Sequence, residues 1–171
     1  YCATCDCMFY RDKVVAVNGG GSTALEDALF LSNYCKEVYL IHRRYALRGE
    51  QKLVDALTKM ENVRFILNSV VTALIGDGRL EGVSIKNKDG EEKTLKVDGL
   101  FIAIGQEPET ALTKEMADMD EKGYIQAGED CRTSVPGVFV AGDCRTKTVR
   151  QLTTAAADGA VAALMAVEYL G

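Results

Sequence analysis

Two cysteines open the chain with two residues between them, in Cys2-Ala3-Thr4-Cys5-Asp6. That spacing brings the sulfurs together at a turn, where they can close a small, reversible disulfide and exchange it with another thiol pair. Asp6 follows directly and could donate or accept the proton that such exchange requires. The competing chemistry is a zinc site, with Cys7, Cys35, Cys131 or Cys144 completing four ligands. A structural zinc site usually draws on a second Cys-x-x-Cys or a histidine pair, and this sequence has neither. The single histidine, His42, stands beside arginines that disfavour a cation. Redox chemistry is the favoured reading, with no metal expected.

A second group of residues could hold a phosphate. Gly19-x-Gly21-x-x-Ala24 matches the Gly-x-Gly-x-x-Gly/Ala pattern, with Ser22 and Thr23 inside it, between an apolar run and a helix-forming one. At that junction the first glycine permits a tight turn and the second lets a pyrophosphate approach the backbone. Ala24 allows close packing of helix on strand, and the helix N-terminus offers free N–H groups. Taken alone, the pattern also fits a purely structural Gly-rich turn. The end of the following strand bears on the choice. A site for NAD places Asp or Glu there, about 20 residues on, against the ribose hydroxyls. Here the chain has His42, Arg43 and Arg44, with Arg48 close behind. Arginine forks match phosphate geometry, whereas a carboxylate would repel it. A solvated basic stretch is the bland alternative, but its location points to the 2′-phosphate of NADPH.

The elements that must position these residues follow from apolar patterning. Lys13 to Asn18 is a short apolar run suited to a buried parallel strand, followed by a helix from Ser22 to about Tyr34. Thr23 and Glu26 have the spacing of a capping box for that helix. Glu37 to Ile41 predicts the next strand, Gly49 to Met60 a second helix, and Val63 to Leu67 a further strand. Leu80 to Lys86 and Lys93 to Val97 flank Lys88-Asp89-Gly90, a hairpin turn. Leu100 to Ile104 is another apolar strand, closed by Gly105. After Pro108 the chain turns polar and loop-rich, with short strands expected near Tyr124 to Gln126 and Val138 to Ala141. The latter enters Gly142-Asp143, and an Ala-rich helix is expected from Arg150 to Leu170. A boundary near Gly105 to Glu109 divides the chain into 1–107 and 108–171.

Composition narrows the possibilities further. A formal net charge of −5 argues against a broad nucleic-acid or anionic-membrane footprint. No apolar run approaches the roughly 18 residues a membrane-spanning helix needs. Six cysteines in 171 residues are too sparse for a secreted disulfide scaffold, so a cytoplasmic protein is expected. The chain starts at Tyr1-Cys2, already inside a motif, which reads as a piece of a longer protein.

Cys-Ala-Thr-Cys-Asp, Gly-Gly-Gly-Ser-Thr-Ala, His-Arg-Arg, and then Gly142-Asp143 with Arg150-Gln151 follow one another in order. Together they resemble the low-molecular-weight, bacterial-type thioredoxin reductases over essentially the whole chain. The resemblance implies an α/β fold: a Rossmann-like, three-layer NADPH-binding domain followed by the C-terminal segment of an FAD-binding domain. It implies that Cys2 and Cys5 are the redox disulfide and Asp6 the acid that manages protons. Arg43, Arg44 and Arg48 would hold the 2′-phosphate, with Gly105 also at the cofactor. Gly142 and Asp143 would bind the ribityl-phosphate region of FAD, with Arg150 and Gln151 near the flavin. Electrons would pass from NADPH through FAD to Cys2–Cys5 and on to thioredoxin or a thioredoxin-like protein, in a homodimer when the protein is complete. Two positions depart from the family pattern: Cys7 and Ala157 stand where glycine is usual. Cys7 fits as a small residue or could compete in a Cys5–Cys7 link. The first Gly-x-Gly-x-x-Gly for FAD is absent, so an NADPH-binding module without turnover is the alternative, or a related reductase serving another small redox protein.

Overall fold

A computed structural model describes residues 2–171; Tyr1, the first residue of the expected NADPH-binding domain, lies outside the described residues. The chain divides into two compact units, Tyr1–Gly105 and Gln106–Gly171.

In the first unit, α1 (Ala3–Asp6) and a 3-10 turn (Cys7–Tyr10) lead into β1 (Val14–Gly19). Next come α2 (Ser22–Ser32), β2 (Glu37–Ile41), α3 (Gln51–Thr58) and β3 (Val63–Ile66). Three antiparallel strands, β4 (Ser69–Ile75), β5 (Gly82–Asn87) and β6 (Glu92–Leu95), precede β7 (Gly99–Ala103). Four strands form a parallel sheet in the order β3-β2-β1-β7, and the other three form a separate sheet.

Strand period explains the layers. Side chains alternate across a strand, so Val15 and Val17 of β1 face one way and Ala16 the other. Val15, Val17, Val38, Leu40 and Phe101 pack on Ala24, Leu25, Ala28, Leu31 of α2 and Leu57 of α3. On the opposite face Ala16 and Ile41 meet Val83, Ile85 and Leu95 of the small sheet. With both faces covered, β1 is a continuous apolar run, as buried parallel strands are. Parallel pairing sets Val17 beside Leu40 of β2 and Phe101 of β7, and carries Gly19 to Ala103. The Gly-rich turn therefore leaves the sheet at its C-terminal edge.

The structure departs from the sequence expectations at several places. A strand, β4, forms where none was expected. Its register shifts between Val71 and Ala73, which interrupts the alternation that announces a strand. The Thr23–Glu26 capping box does not form, because α2 begins at Ser22 with Gly21 as its N-cap, and Thr23 already lies within the first turn. A capping box forms instead at α4 (Leu152–Leu170), between Gln151 and Thr154.

The second unit is loop-rich. The short strands expected at Tyr124–Gln126 and Val138–Ala141 are reduced to single bridges: Ile125 with Met119 and Arg145, and Phe139 with Arg132. Positive φ at Gly123, Cys131, Gly137 and Gly142 turns the backbone every few residues, too often for a ladder to extend. Most of α4 is apolar, yet the residue it buries is Asp158. Leu164, Val167 and Leu170 of the same helix are exposed.

Candidate functional site

A cleft of about 530 Å³ opens at the C-terminal edge of the parallel sheet. It is lined by Asn18 to Thr23, by His42, Arg43 and Arg48, by Val70 and Val71, and by Ala103, Ile104 and Gly105. Gly19, Gly21, Ser22 and Thr23 are thus gathered with His42, Arg43, Arg48 and Gly105, all singled out by sequence. Arg44 is exposed and is not among the lining residues. Ala24 is fully buried beneath the turn.

The three glycines do different things. A methyl group at Gly19 would strike the Ala103 carbonyl and the Ala24 side chain, so this glycine lets strand, helix and turn close together. A methyl group at Gly20 would fall within the His42 ring. At Gly21 nothing lies within 4 Å, so the protein's own packing does not demand glycine there. That open side lies in the cleft at the start of α2, whose N-cap makes no side-chain cap bond. N-terminal N–H groups left uncapped beside an open glycine suit an anion.

The cleft is cationic. Arg43 and Arg48 belong to its lining and no carboxylate does. His42 is 4% exposed, and its Nε2 has no hydrogen-bond partner. Burial first, then the positive charges of Arg48, Arg44 and Arg43, hold its pKa below the ordinary value and keep the ring neutral.

The thiol pair lies in the same unit. Cys2 is the N-cap of α1 and is joined to Cys5 in a disulfide, with Cα atoms 5.2 Å apart. Cys5 N–H donates to Cys2 Sγ at 3.1 Å, where it would stabilise negative charge on that sulfur after reduction. Asp6 is partly buried at the end of the same turn, and Cys5 is exposed. Ala3 and Cys7 are buried in the helix-side core and anchor the turn. Tyr10 stacks edge-on against Phe101 of β7, with ring centroids 5.3 Å apart. Cys7 is a free thiol whose Sγ donates weakly to the Thr4 carbonyl at 3.8 Å. Among the described residues no group of three or more His, Cys, Asp or Glu gathers as a metal site.

In the second unit, Asp143 and Arg150 are drawn together: Arg150 Nε donates to the Asp143 carbonyl at 3.3 Å. The Arg150 guanidinium lies 4.0 Å from the centroid of the Tyr124 ring, a cation–π contact. Gln151 caps α4. Gly142 has φ +85, a conformation that favours glycine, and its N–H donates to Asp158 at 3.0 Å. Asp158 also accepts from Arg145 at 2.8 Å and Lys147 at 2.7 Å. These charge-assisted bonds, Arg145 foremost, hold its carboxyl well below the usual carboxylate range.

Sequence reasoning missed Gly20, Val70, Val71 and the Asp158 cluster. Gly20 occupies an unspecified place in the pattern, and its need for glycine comes from a ring brought in from β2. Asp158 carried a usable signal, as the one charged residue in the Ala-rich stretch 152–167.

An anion-ready cleft and a Cys-x-x-Cys disulfide in one α/β unit are parts of an oxidoreductase. The chain belongs to the pyridine nucleotide-disulphide oxidoreductase family, whose model matches residues 1–159. That family typically uses FAD and NAD(P)H. The chain is 46% identical over 179 residues to a thioredoxin reductase of Coxiella burnetii, covering 99% of this chain and 56% of the relative. It is 41% identical to a thioredoxin reductase of Peptoclostridium litorale, covering 99% and 56%. The crystal structure of thioredoxin reductase from Streptococcus pyogenes superposes with a TM-score of 0.91 at 40% identity, covering 99% of this chain and 56% of that one. The chain therefore spans about half the length of the curated relatives it matches. Among the described residues no helix is long and apolar enough to cross a membrane.

Proposed function

We propose that residues 2–105 bind NADPH and carry the redox disulfide of a thioredoxin reductase, and that residues 106–171 contribute part of an FAD site. The observation that carries this reading is a single cleft that joins the Gly19–Thr23 turn to Arg43 and Arg48 and contains no carboxylate. Gly21 and the first turn of α2 would receive the pyrophosphate, and the arginines the 2′-phosphate. Arg44 would add long-range positive charge from outside the cleft. A bound flavin would supply the two-electron relay between nicotinamide and disulfide. Gly142, Asp143, Arg150 and Gln151 are the residues here that would face it. Cys2–Cys5 accepts the electron pair and opens to a dithiol, and Asp6 exchanges protons with the emerging thiols. One thiolate attacks the disulfide of thioredoxin or a similar small protein, and the second thiol resolves the mixed disulfide. In sum, NADPH, a proton and a protein disulfide become NADP⁺ and a protein dithiol.

Titrating NADPH and NADH against the purified chain tests the nucleotide reading. Tighter binding of NADPH is expected, and equal affinities overturn it. The single Gly-x-Gly-x-x-Gly/Ala pattern in the chain favours a second outcome for these residues on their own: nucleotide binding, little retained FAD and no thioredoxin turnover. Addition of an FAD-binding half should then restore activity. A yellow chain that reduces thioredoxin unaided would exclude that outcome.

A further inference from the structure

The geometry points to His42 as a positioning residue: its ring, seated on Gly20, ties the Gly-rich turn to the arginines that select NADPH. This inference rests on the nucleotide reading above and deepens it.

The backbone of His42 is engaged on both sides, its N–H donating to the Ile66 carbonyl at 2.9 Å and its carbonyl accepting from Ser69 N–H at 3.0 Å. Held there, just past the end of β2, the side chain fills the space over Gly20, where a methyl group would fall within the ring. The other side of Gly20 is also engaged. Its carbonyl accepts from Arg48 N–H at 2.7 Å. A methyl group at the next residue, Gly49, would meet the Leu25 side chain and Ser22 N of α2. The segment from His42 to Gly49 is thus clamped onto the turn at both ends, and Arg43 and Arg48 are the residues at those ends. Since the ring is buried among arginines and neutral, it brings no charge to a phosphate. Its contribution over Gly20 is shape, and a hydrogen bond to the Ala46 backbone holds the ring to its own segment. Anything that lifts the ring off Gly20 shifts Arg43 and Arg48 relative to the pyrophosphate turn, and the 2′-phosphate contact loses its register.

The test is calorimetric titration of NADPH and NADH against the full chain as wild type, Gly20→Ala, His42→Ala, His42→Phe and the Gly20→Ala/His42→Ala pair, with circular dichroism melts to verify folding. Gly20→Ala should weaken NADPH more than NADH, shrinking the preference on the order of tenfold. Removing the ring makes room for the methyl group, so the pair should recover to the preference of His42→Ala alone. His42→Phe keeps a ring over Gly20 without its nitrogens and should retain most of the preference. Equal weakening of both nucleotides by Gly20→Ala, or additive losses in the pair, overturns the interlock. Where Gly20→Ala fails to fold, the two His42 variants decide: a Phe variant as damaged as the Ala variant shows that the ring nitrogens, and not the ring's shape over Gly20, carry the effect, and overturns the interlock. A wild-type chain with no preference for NADPH would instead sink the nucleotide reading itself.

Discussion

Asp158, the buried residue of α4, holds the N–H of Gly142 at 3.0 Å and with it the turn that carries Asp143. Arg145 and Lys147 close on the same carboxylate, with all three side chains 5–9% exposed. Desolvating a carboxylate is costly, and here two cations and one backbone donor offset it. Asp158→Asn keeps the shape and removes the charge, leaving two cations buried without their partner. The loss should be about 3–5 kcal/mol in urea-induced unfolding at neutral pH. A loss below about 1 kcal/mol, the scale of an exposed pair, would mean that the cluster is solvated in solution.

The same carboxylate predicts an acid limb. Its folded-state pKa is depressed, while an unfolded Asp titrates near about 3.9. The stability it contributes is therefore present above about pH 3.9 and is lost as pH falls from there toward the folded value. Unfolding free energies measured from pH 5 downward, on the order of one pH unit apart, should fall less steeply in Asp158→Asn than in wild type. Identical slopes would rule the contribution out.

His42 predicts a second pH dependence, at higher pH. Folding lowers its pKa, by burial and by Arg48, whereas the unfolded side chain titrates near about 6.5. Protonation thus favours the unfolded chain. Stability should be intact above about pH 6.5 and decline as pH drops below it. No other histidine is present to blur the assignment. Melting temperatures compared between about pH 7.5 and about pH 5.5 should converge in His42→Phe; a drop as large as that of wild type would assign the effect elsewhere.

Thiol accessibility follows from burial. With Cys2–Cys5 oxidised, Cys7, Cys35, Cys131 and Cys144 are the free thiols, and Cys144 is the one that is not buried. Burial, with smaller effects from Cys7 and Asp12, pushes the Cys35 thiol up to about 11. Alkylation of the native oxidised chain followed by peptide mapping should modify Cys144 first and spare Cys35, and reduction should add Cys2 and Cys5. Stoichiometric zinc recovered on Cys2 and Cys5 would contradict the redox assignment.

The arginines should separate by position. Arg43→Ala and Arg48→Ala should each raise the NADPH dissociation constant on the order of tenfold, the scale of one charge-assisted contact, with NADH little changed. Arg44 lies outside the cleft lining, so Arg44→Ala should cost less than either. The same titrations check it, and an Arg44 effect exceeding that of Arg43 would relocate the phosphate.

Local chemistry made much of this chain legible. A strand, a glycine turn and a helix that follow one another within residues 14–32 must meet at one point, so their sequence pattern is also their geometry. The Cys-x-x-Cys spacing constrains two sulfurs in the same way, because one helical turn joins them. Arg43 and Arg48 were readable because β2 pairs in parallel beside β1 and delivers its end to the same sheet edge. What the sequence left open depends on groups that meet only after folding. The bulge in β4 hid the strand that brings Val70 and Val71 to the cleft. Gly21 took the N-cap role that Thr23 promised, so the helix begins two residues sooner than that cap would set it. Gly20 must be glycine because of a ring that arrives from the next strand, and Asp158 is tolerable inside the protein because Arg145, Lys147 and Gly142 converge on it. In both cases tertiary structure decides. A steric exclusion or a charge balance belongs to a pair of residues, and the chain must fold before the pair exists.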